Sequence, residues 1–395
     1  MKSFFRRPDL LTFFCLYLAQ SLPMTFFSTA LQVTMRQASF SLSAIAMLQV
    51  IKLPWVLKFL WSPWVDRRCN TLQGFRRCIF VSEGIYAAII LVVGLLDLQL
   101  HFPLVIGLIF LSFVASATQD IATDALAVLS FGHREKGLVN SMQSLGSFCA
   151  TLLGSGVLLA LLQRYGWNYI LPCLALFVVV ALVPLYRNRT LTIAPKQHSE
   201  PVRWTSIVSF FARREIWPQV GFLALSYAGL IGMLSMLRPW MVDLGYDMQE
   251  IGMWSGIAGS AAACVASLLS GRILVRWGRR TGRILFAAVS CFTALFFLLV
   301  QWMGPTHMWV VPAVMMLWFS YGLSTVVVYT TAMDHVRPGL EGTDFTMQTV
   351  ITHLSGIVVA LVCGHVAEAW GYVALFACCA LITLCTLAYN CKKSI

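Results

Sequence analysis

The chain has 395 residues, of which 59% are hydrophobic and 11% are charged, and its mean hydropathy is +0.78. A water-soluble protein of this length cannot bury so much apolar side chain in one or two cores, so soluble enzymes and soluble binding domains are excluded. The net charge of +12 is explained by basic loops beside apolar runs, and it gives no reason to expect nucleic-acid binding.

Apolar runs of about 20 residues predict helices that cross a bilayer. In chain order the predicted spans lie near 10–32, 43–65, 77–96, 103–129, 137–161, 167–186, 218–240, 250–271, 282–302, 309–332, 343–367 and 371–390. The first run has no small-residue cleavage site, so we expect it to remain as a span. The fold class is therefore an all-α integral membrane protein with about twelve transmembrane helices.

The spans divide into two similar halves. We expect an N-terminal six-helix bundle at 1–186, a cytoplasmic linker at 187–217 and a C-terminal six-helix bundle at 218–395. The segments GLVNSMQ (137–143) and GTDFTMQ (342–348) share Gly, Met and Gln at an offset of 205 residues. Two six-helix halves in parallel register are typical of transporters that work by a rocking motion.

The basic residues predict the orientation of these spans. With the N-terminus inside, 23 of the 28 lysines and arginines face the cytoplasm. The opposite side holds only Arg36, Arg164 and Arg238, while Lys52 and Lys58 lie within a span. This asymmetry predicts that both termini are cytoplasmic.

A charged residue inside a span costs roughly 2.5–3.5 kcal/mol near the helix centre, and four such residues are candidates for function. Lys52 and Lys58 are in the second span, and Asp120 and Asp124 share one face of the fourth. Counting depth along regular helices predicts a shallow pair, Lys58 with Asp124, and a deep pair, Lys52 with Asp120. A structural ion pair and a proton-coupling site both remain open as interpretations.

Uncharged and peripheral residues supply the candidates for substrate contact. They are Gln20, Gln119, Arg36, Arg238, Trp55, Trp318, Gln348 and His353. Each has a structural alternative: amides can join helices, arginines at helix ends can snorkel, and aromatic rings and histidines can pack.

The sequence gives little support to the other functional classes, which are an integral membrane enzyme and a channel. The twelve cysteines are scattered, and neither a metal site nor a catalytic cluster is predicted, so an integral membrane enzyme is not favoured. A channel does not require two halves with charges of both signs inside the spans. An ATP-binding loop is missing, so we expect an ion gradient to supply the energy. The expected partners are a small-molecule substrate, protons and the lipid bilayer, with no cofactor and no obligate protein partner.

Three motifs give the chain a resemblance to known transporters. Asp66, Arg67 and Arg68 after the second span, and Arg279 and Arg280 after the eighth, resemble the gating-loop motif of the major facilitator superfamily. The first copy lacks the usual glycine before the acid, and the second lacks the acid. The runs LPWVLKFLWSP (53–63) and QDIATDA (119–125) are similar to the AmpG-like branch of that superfamily.

The resemblance to the AmpG-like branch implies a major facilitator fold and a multi-pass protein of the inner membrane. It also implies a secondary active transporter, coupled to protons, that works by alternating access. The branch contains muropeptide permeases and siderophore permeases. The chain length and the run from Arg337 to Gln348 resemble the siderophore permeases more, so siderophore import is the first expectation and muropeptide import the alternative.

Overall fold

The structure is a computed structural model that describes residues 7–37, 48–97, 100–193 and 202–392. Every regular element within these ranges is helical. We number the spans α1 to α12 in chain order.

The first six spans begin with a long regular helix and include one broken segment. Their bounds are Pro8–Gln37 for α1, 48–60 for the described part of α2, Leu72–Leu95 for α3, Phe102–Ser130 for α4, Lys136–Tyr165 for α5 and Trp167–Arg187 for α6. A short helix, Ser62–Arg68, follows α2. Residues Leu153–Val157 of α5 form a π-helical turn.

The last six spans follow a short helix, Thr205–Ala212, in the predicted linker. Their bounds are Ile216–Asp243 for α7, 248–277 for α8, 279–303 for α9, His307–Asp334 for α10, 341–370 for α11 and 372–391 for α12. A second π-helical turn, Gly252–Ala258, lies near the start of α8.

Two pairs of spans are joined without a loop. The stretches Met248–Met303 and Glu341–Cys391 are each continuous in hydrogen bonding, but Gly278 and Gly371 have φ values of 80° and 76°. That backbone conformation is open to glycine and breaks the helix, so each stretch supplies two spans. Nine described helices are long and apolar enough to cross a membrane. With these two divisions and the broken α2, the prediction of about twelve spans is confirmed.

The second span departs from a regular helix. Residues Leu48–Lys52 and Lys58–Leu60 form 3₁₀ turns on either side of the short helix Leu53–Leu57. Pro54 lies in that helix, and Pro63 is the second residue of the next one. Proline has no N–H to donate and clashes with the preceding turn, so two prolines nine residues apart keep this span short and broken.

The described chain forms two compact units that do not follow the order of the sequence strictly. The first comprises 1–132, 149–207 and 336–346, and the second comprises 133–148, 208–335 and 347–395. In the first unit Phe26, Phe27 and Phe113 belong to the apolar core, and in the second Phe297 and Phe376 pack around Trp240. The division into two six-helix domains with a linker stays a prediction, and residues 194–201 of that linker lie outside the described ranges.

Candidate functional site

A buried ion pair lies in the first unit. The Lys58 ammonium donates to Asp120 Oδ2, and each residue is only 2% exposed. Gln20 Nε2 donates to Asp120 Oδ1 at 2.6 Å, and the Lys58 nitrogen lies 5.2 Å from the centroid of the Trp55 ring. We call these four residues the ion-pair cluster. It brings together members of α1, α2 and α4 that are far apart in the sequence.

The second aspartate of α4 has a different neighbour. The Tyr17 hydroxyl donates to Asp124 Oδ1 at 2.8 Å. The two carboxyl groups lie one turn apart and interact with each other, but only Asp120 is paired with the Lys58 ammonium, and Asp124 binds the phenol. Such a difference lets neighbouring carboxyl groups take different protonation states.

The predicted pairing of Lys52 with Asp120 and of Lys58 with Asp124 is wrong. Lys58 binds Asp120, and half-buried Lys52 forms no ion pair within the described ranges. The predicted depths assumed a regular helix with a rise of 1.5 Å per residue. The 3₁₀ turns and prolines of α2 change both the rise and the direction of its side chains.

The remaining amides serve mainly as contacts between or within helices. Gln119 donates to Thr123 Oγ1, one turn along α4, at 2.8 Å. Gln348 of α11 accepts from Gln219 of α7 at 3.1 Å and donates to the Ala332 carbonyl of α10 at 2.9 Å. These contacts fit the structural alternative for both residues, and a role in binding substrate stays a prediction.

The other candidates for substrate contact differ in their exposure. Trp318 packs against Gly259 and meets the Tyr321 ring edge-on at a centroid distance of 6.2 Å. Arg238 and His353 have exposed side chains. Arg36 lies in the last turns of α1, but its side chain is outside the described part of the chain. Exposure of Arg238 at the end of its helix is compatible with snorkelling.

One cytoplasmic contact joins the start of α11 to the helix after α2. Buried Asp66 accepts from the Gly342 and Thr343 backbone N–H groups at 2.9 and 2.7 Å, and from the Thr343 hydroxyl at 2.7 Å. A carboxylate at a helix N-terminus is stabilised by the helix dipole. Burial nevertheless raises the pKa of Asp66 to about 7, while the three donors act to lower it. Asp66 lies beyond the predicted end of the second span.

A second cytoplasmic contact lies at the end of α10. Asp334 accepts from Arg279 Nε at 2.9 Å, lies 3.0 Å from His133 Nδ1 and lies 3.3 Å from Lys136 Nζ. Nearby, α5 and α8 approach so closely that a Cβ on Gly271 would collide with the Ser141 hydroxyl. Because Arg279 and Asp334 follow His133 and Lys136 by more than 140 residues, this contact joins the two halves of the sequence within the second unit.

Only part of the predicted gating set takes part in these contacts. Asp66 and Arg279 do so, whereas Arg67, Arg68 and Arg280 are exposed. The gating role of the set stays a prediction.

Sequence reasoning missed several of the partners. Tyr17, His133 and Lys136 gave no signal, because their acidic partners are distant in the chain. Glu83 did give one, since it is a lone acid inside the apolar run of α3.

With this geometry described, comparison with known proteins identifies the family. The sequence profile of the Major Facilitator Superfamily matches residues 10–360. The chain belongs to the Major Facilitator Superfamily. As a member it is a transport protein, and it is a multi-pass protein of the inner membrane.

Curated relatives of this superfamily member cover nearly the whole chain. An uncharacterized protein of Haemophilus influenzae is 23% identical over 92% of this chain and 89% of its own. The anhydromuropeptide permease of Escherichia coli K12 is 22% identical over 99% of this chain and 81% of its own. The putative transporter AmpG 4 of Rickettsia conorii is 22% identical over 94% and 93%. These relatives agree with the predicted AmpG-like branch.

Solved structures agree on the major facilitator fold. FucP in the outward conformation superposes with a TM-score of 0.70 at 14% identity, covering 97% of this chain and 98% of its own. A bacterial homologue of the iron transporter ferroportin, in an outward-facing state, gives 0.70 at 15% identity and the same coverage. At these identities the match shows the fold alone.

Proposed function

We propose that this protein imports muropeptides or related cell-wall fragments into the cytoplasm, driven by protons. The observation that carries the substrate class is the similarity to the E. coli anhydromuropeptide permease, which extends over 99% of the chain. The putative AmpG transporters of Rickettsia support the same class. None of these relatives supports siderophore import, our first expectation, so the muropeptide alternative replaces it.

Coupling to protons is supported by the ion-pair cluster. Lys58 is neutralised in its buried position by the carboxylate of Asp120, which Gln20 also holds. A proton that adds to Asp120 removes this negative charge and leaves a buried ammonium without its counter-ion. Since an unpaired buried charge is costly, protonation favours a rearrangement of α2 against α4.

Proton binding must be accompanied by the opening and closing of the cytoplasmic side, and we assign this role to the two cytoplasmic contacts. Asp66 holds the start of α11, and Asp334 holds Arg279, His133 and Lys136. In this proposal both contacts keep the cytoplasmic side closed until substrate and proton have bound. Their release then lets the substrate leave toward the cytoplasm.

The substrate class is tested by uptake in an E. coli strain that lacks its own anhydromuropeptide permease. Expression of this chain should restore saturable uptake of labelled anhydromuropeptide, and an uncoupler should abolish accumulation. A ferric siderophore offered to the same cells serves as the comparison substrate. Accumulation of the siderophore without the muropeptide would overturn the assignment, and muropeptide uptake that resists the uncoupler would overturn proton coupling alone.

A further inference from the structure

The third span contains a carboxyl group that the proposed cycle does not use. The side chain of Glu83 in α3 is 0% exposed, and neither of its carboxyl oxygens has a hydrogen-bond partner in the described ranges. No described basic side chain lies within ion-pair distance of it. A buried carboxylate without donor or cation is very unfavourable, so the neutral, protonated form is the stable one here.

The corresponding helix of the second half offers an internal comparison for this acid. Arg76 of α3 donates to the backbone carbonyl of Asn188 after α6, and Arg283 of α9 donates to Asn390 Oδ1 of α12 at 3.0 Å. The two arginines are 207 positions apart in the sequence, as are the first residues of α3 and α9, 72 and 279. They therefore align α3 with α9.

In this alignment a serine stands where α3 has its buried acid. Ser290 lies 207 positions after Glu83, and its hydroxyl is 3.3 Å from that of Ser324 on α10. One turn further, Thr293 is 2.6 Å from Ser320. Hydroxyl pairs thus satisfy the second-half contact, and such a contact does not need a carboxyl group.

Tyr86 connects the surroundings of Glu83 with the ion-pair cluster. Tyr86, one turn along α3, is close enough to Glu83 for an electrostatic interaction, and it approaches the Ser116 hydroxyl. The Tyr86 hydroxyl lies 3.5 Å from the backbone carbonyl oxygen of Gln20, whose side chain binds Asp120. Tyr86 therefore stands between Glu83 and the cluster.

The ionisable groups on the neighbouring helices define what Glu83 can exchange a proton with. Those of α3, α4 and α1 on this side are Tyr86, Asp120, Asp124 and Tyr17. The spans packed on α3 are α4 and α6, and the ionisable Tyr169 and Cys173 of α6 are exposed. Among these groups only the aspartates of α4 are carboxyl groups that can act as proton acceptors.

We infer that Glu83 is a second proton-binding residue of the transport cycle, which holds its proton while Asp120 is paired with Lys58 and then passes it to Asp120. The inference rests on the proposed proton coupling. The O–H bond of the Glu83 carboxyl breaks and one forms on the Asp120 carboxylate, so one negative charge moves to Glu83 and no electrons are exchanged. Tyr86 lies along the route, and a proton from solvent later restores Glu83.

Infrared difference spectroscopy on the purified full chain in lipid tests the protonation state without any substrate. The wild type should show a carboxylic-acid C=O band at neutral pH that disappears in Glu83→Gln. Asp124→Asn serves as the matched control and should leave that band in place. An unchanged set of carboxylic-acid bands in Glu83→Gln overturns the inference, whether or not the substrate assignment is correct.

A transport assay then distinguishes whether Glu83 carries a proton or has only a structural role. Glu83→Gln preserves the shape of the neutral acid, so it should lower the accumulation ratio of anhydromuropeptide about tenfold or more while substrate exchange continues. Ser290→Ala, at the aligned position, should accumulate normally. A Glu83→Gln variant that accumulates substrate like the wild type contradicts the inference.

If Glu83→Gln does not fold, Glu83→Asp replaces it in the same assay. This variant keeps the acid, so it should accumulate substrate with a pH profile displaced from that of the wild type. An unchanged profile counts against Glu83 as a proton carrier. If the wild type itself takes up no muropeptide, the proposed function fails, and the infrared result still decides the state of Glu83.

Discussion

The helix pair α3 and α4 corresponds to the pair α9 and α10, but the polar side chains at the two contacts differ. On α3 the inward positions hold Glu83 and Tyr86, whereas the aligned positions of α9 hold Ser290 and Thr293. The hydroxyls of α9 are paired with hydroxyls of α10. The carboxyl of α3 has no partner in the part of the chain that the structure describes.

The same difference continues along α4 and α10. The last residues of α4 and α10, Ser130 and Asp334, are 204 positions apart, so Asp120 and Asp124 align with Ser324 and Val328. The Ser324 hydroxyl lies 3.3 Å from that of Ser290, and Val328 is apolar. Two helices can therefore pack well with neutral residues at these positions, so the charges of the first half require a reason other than packing. Five predictions test the charged contacts of the first half and compare them with the neutral contacts of the second.

The largest effect is expected for Lys58→Met. It leaves the Asp120 carboxylate buried without its cation, which costs roughly 3–5 kcal/mol. We expect a marked loss of folded protein, measured as the monodisperse fraction in size-exclusion chromatography. The double variant Lys58→Met/Asp120→Asn removes the uncompensated charge and should recover much of that fraction.

Lys52→Met is the matched control, because Lys52 forms no ion pair among the described residues. It should keep the folded fraction of the wild type. Strictly additive losses in the double variant, or a loss in Lys52→Met equal to that in Lys58→Met, would refute the pairing.

The second prediction concerns transport by Asp120→Asn. This variant is neutral at the position where the proposed cycle needs an acid, so accumulation against a gradient should fall about tenfold or more while exchange of substrate persists. Ser324→Ala, at the aligned position of α10, is the control and should transport normally. Concentrative uptake by Asp120→Asn that still collapses with an uncoupler would remove Asp120 from proton coupling.

The third prediction concerns the contact of Asp66 with the start of α11. Asp66→Asn places an amide group among three buried donors, and a buried polar group left without a partner costs about 1–3 kcal/mol. Spin labels at Arg68→Cys and Pro338→Cys, both exposed positions, should then show a larger population at long distance. An unchanged distance distribution would show that the contact does not hold the two segments together.

The same contact should respond to pH. The pKa of Asp66 in the contact is about 7, above its ordinary value, so forming the contact takes up a proton near neutral pH. Acidification from about pH 8 to about pH 6 therefore favours the contact, and alkalinisation weakens it. Asp66→Asn should remove this dependence, and a pH response that survives in the variant would assign it to another group.

The smallest effect is expected in the second half. Thr293→Ala/Ser320→Ala removes one hydroxyl pair, and interhelical hydrogen bonds in membrane proteins average about 0.6 kcal/mol. Transport should be unaffected, and thermal unfolding in detergent should shift only slightly. A loss of accumulation comparable to that of Asp120→Asn would show that proton chemistry is not confined to the first half.

Local composition was enough to predict the spans and the unusual residues within them. A span is a property of about 20 consecutive residues in contact with lipid, so hydropathy found the twelve spans, including the two pairs joined at Gly278 and Gly371. The cost of a charge in lipid likewise identified Lys58 and Asp120 from the sequence alone. Glu83 carries the same signal, although it was not among the predicted site residues.

The sequence by itself determined the membrane class, the number of spans and the identity of the buried charges, because each depends on the polarity of neighbouring residues. Only the tertiary structure decided which charges meet. Lys58 contacts Asp120, and Tyr17 contacts Asp124, because prolines and 3₁₀ turns break α2 and rotate its lysines away from the positions of a regular helix. That Glu83 has no hydrogen-bond partner among the described residues was also decided there, because it depends on every helix packed around Glu83.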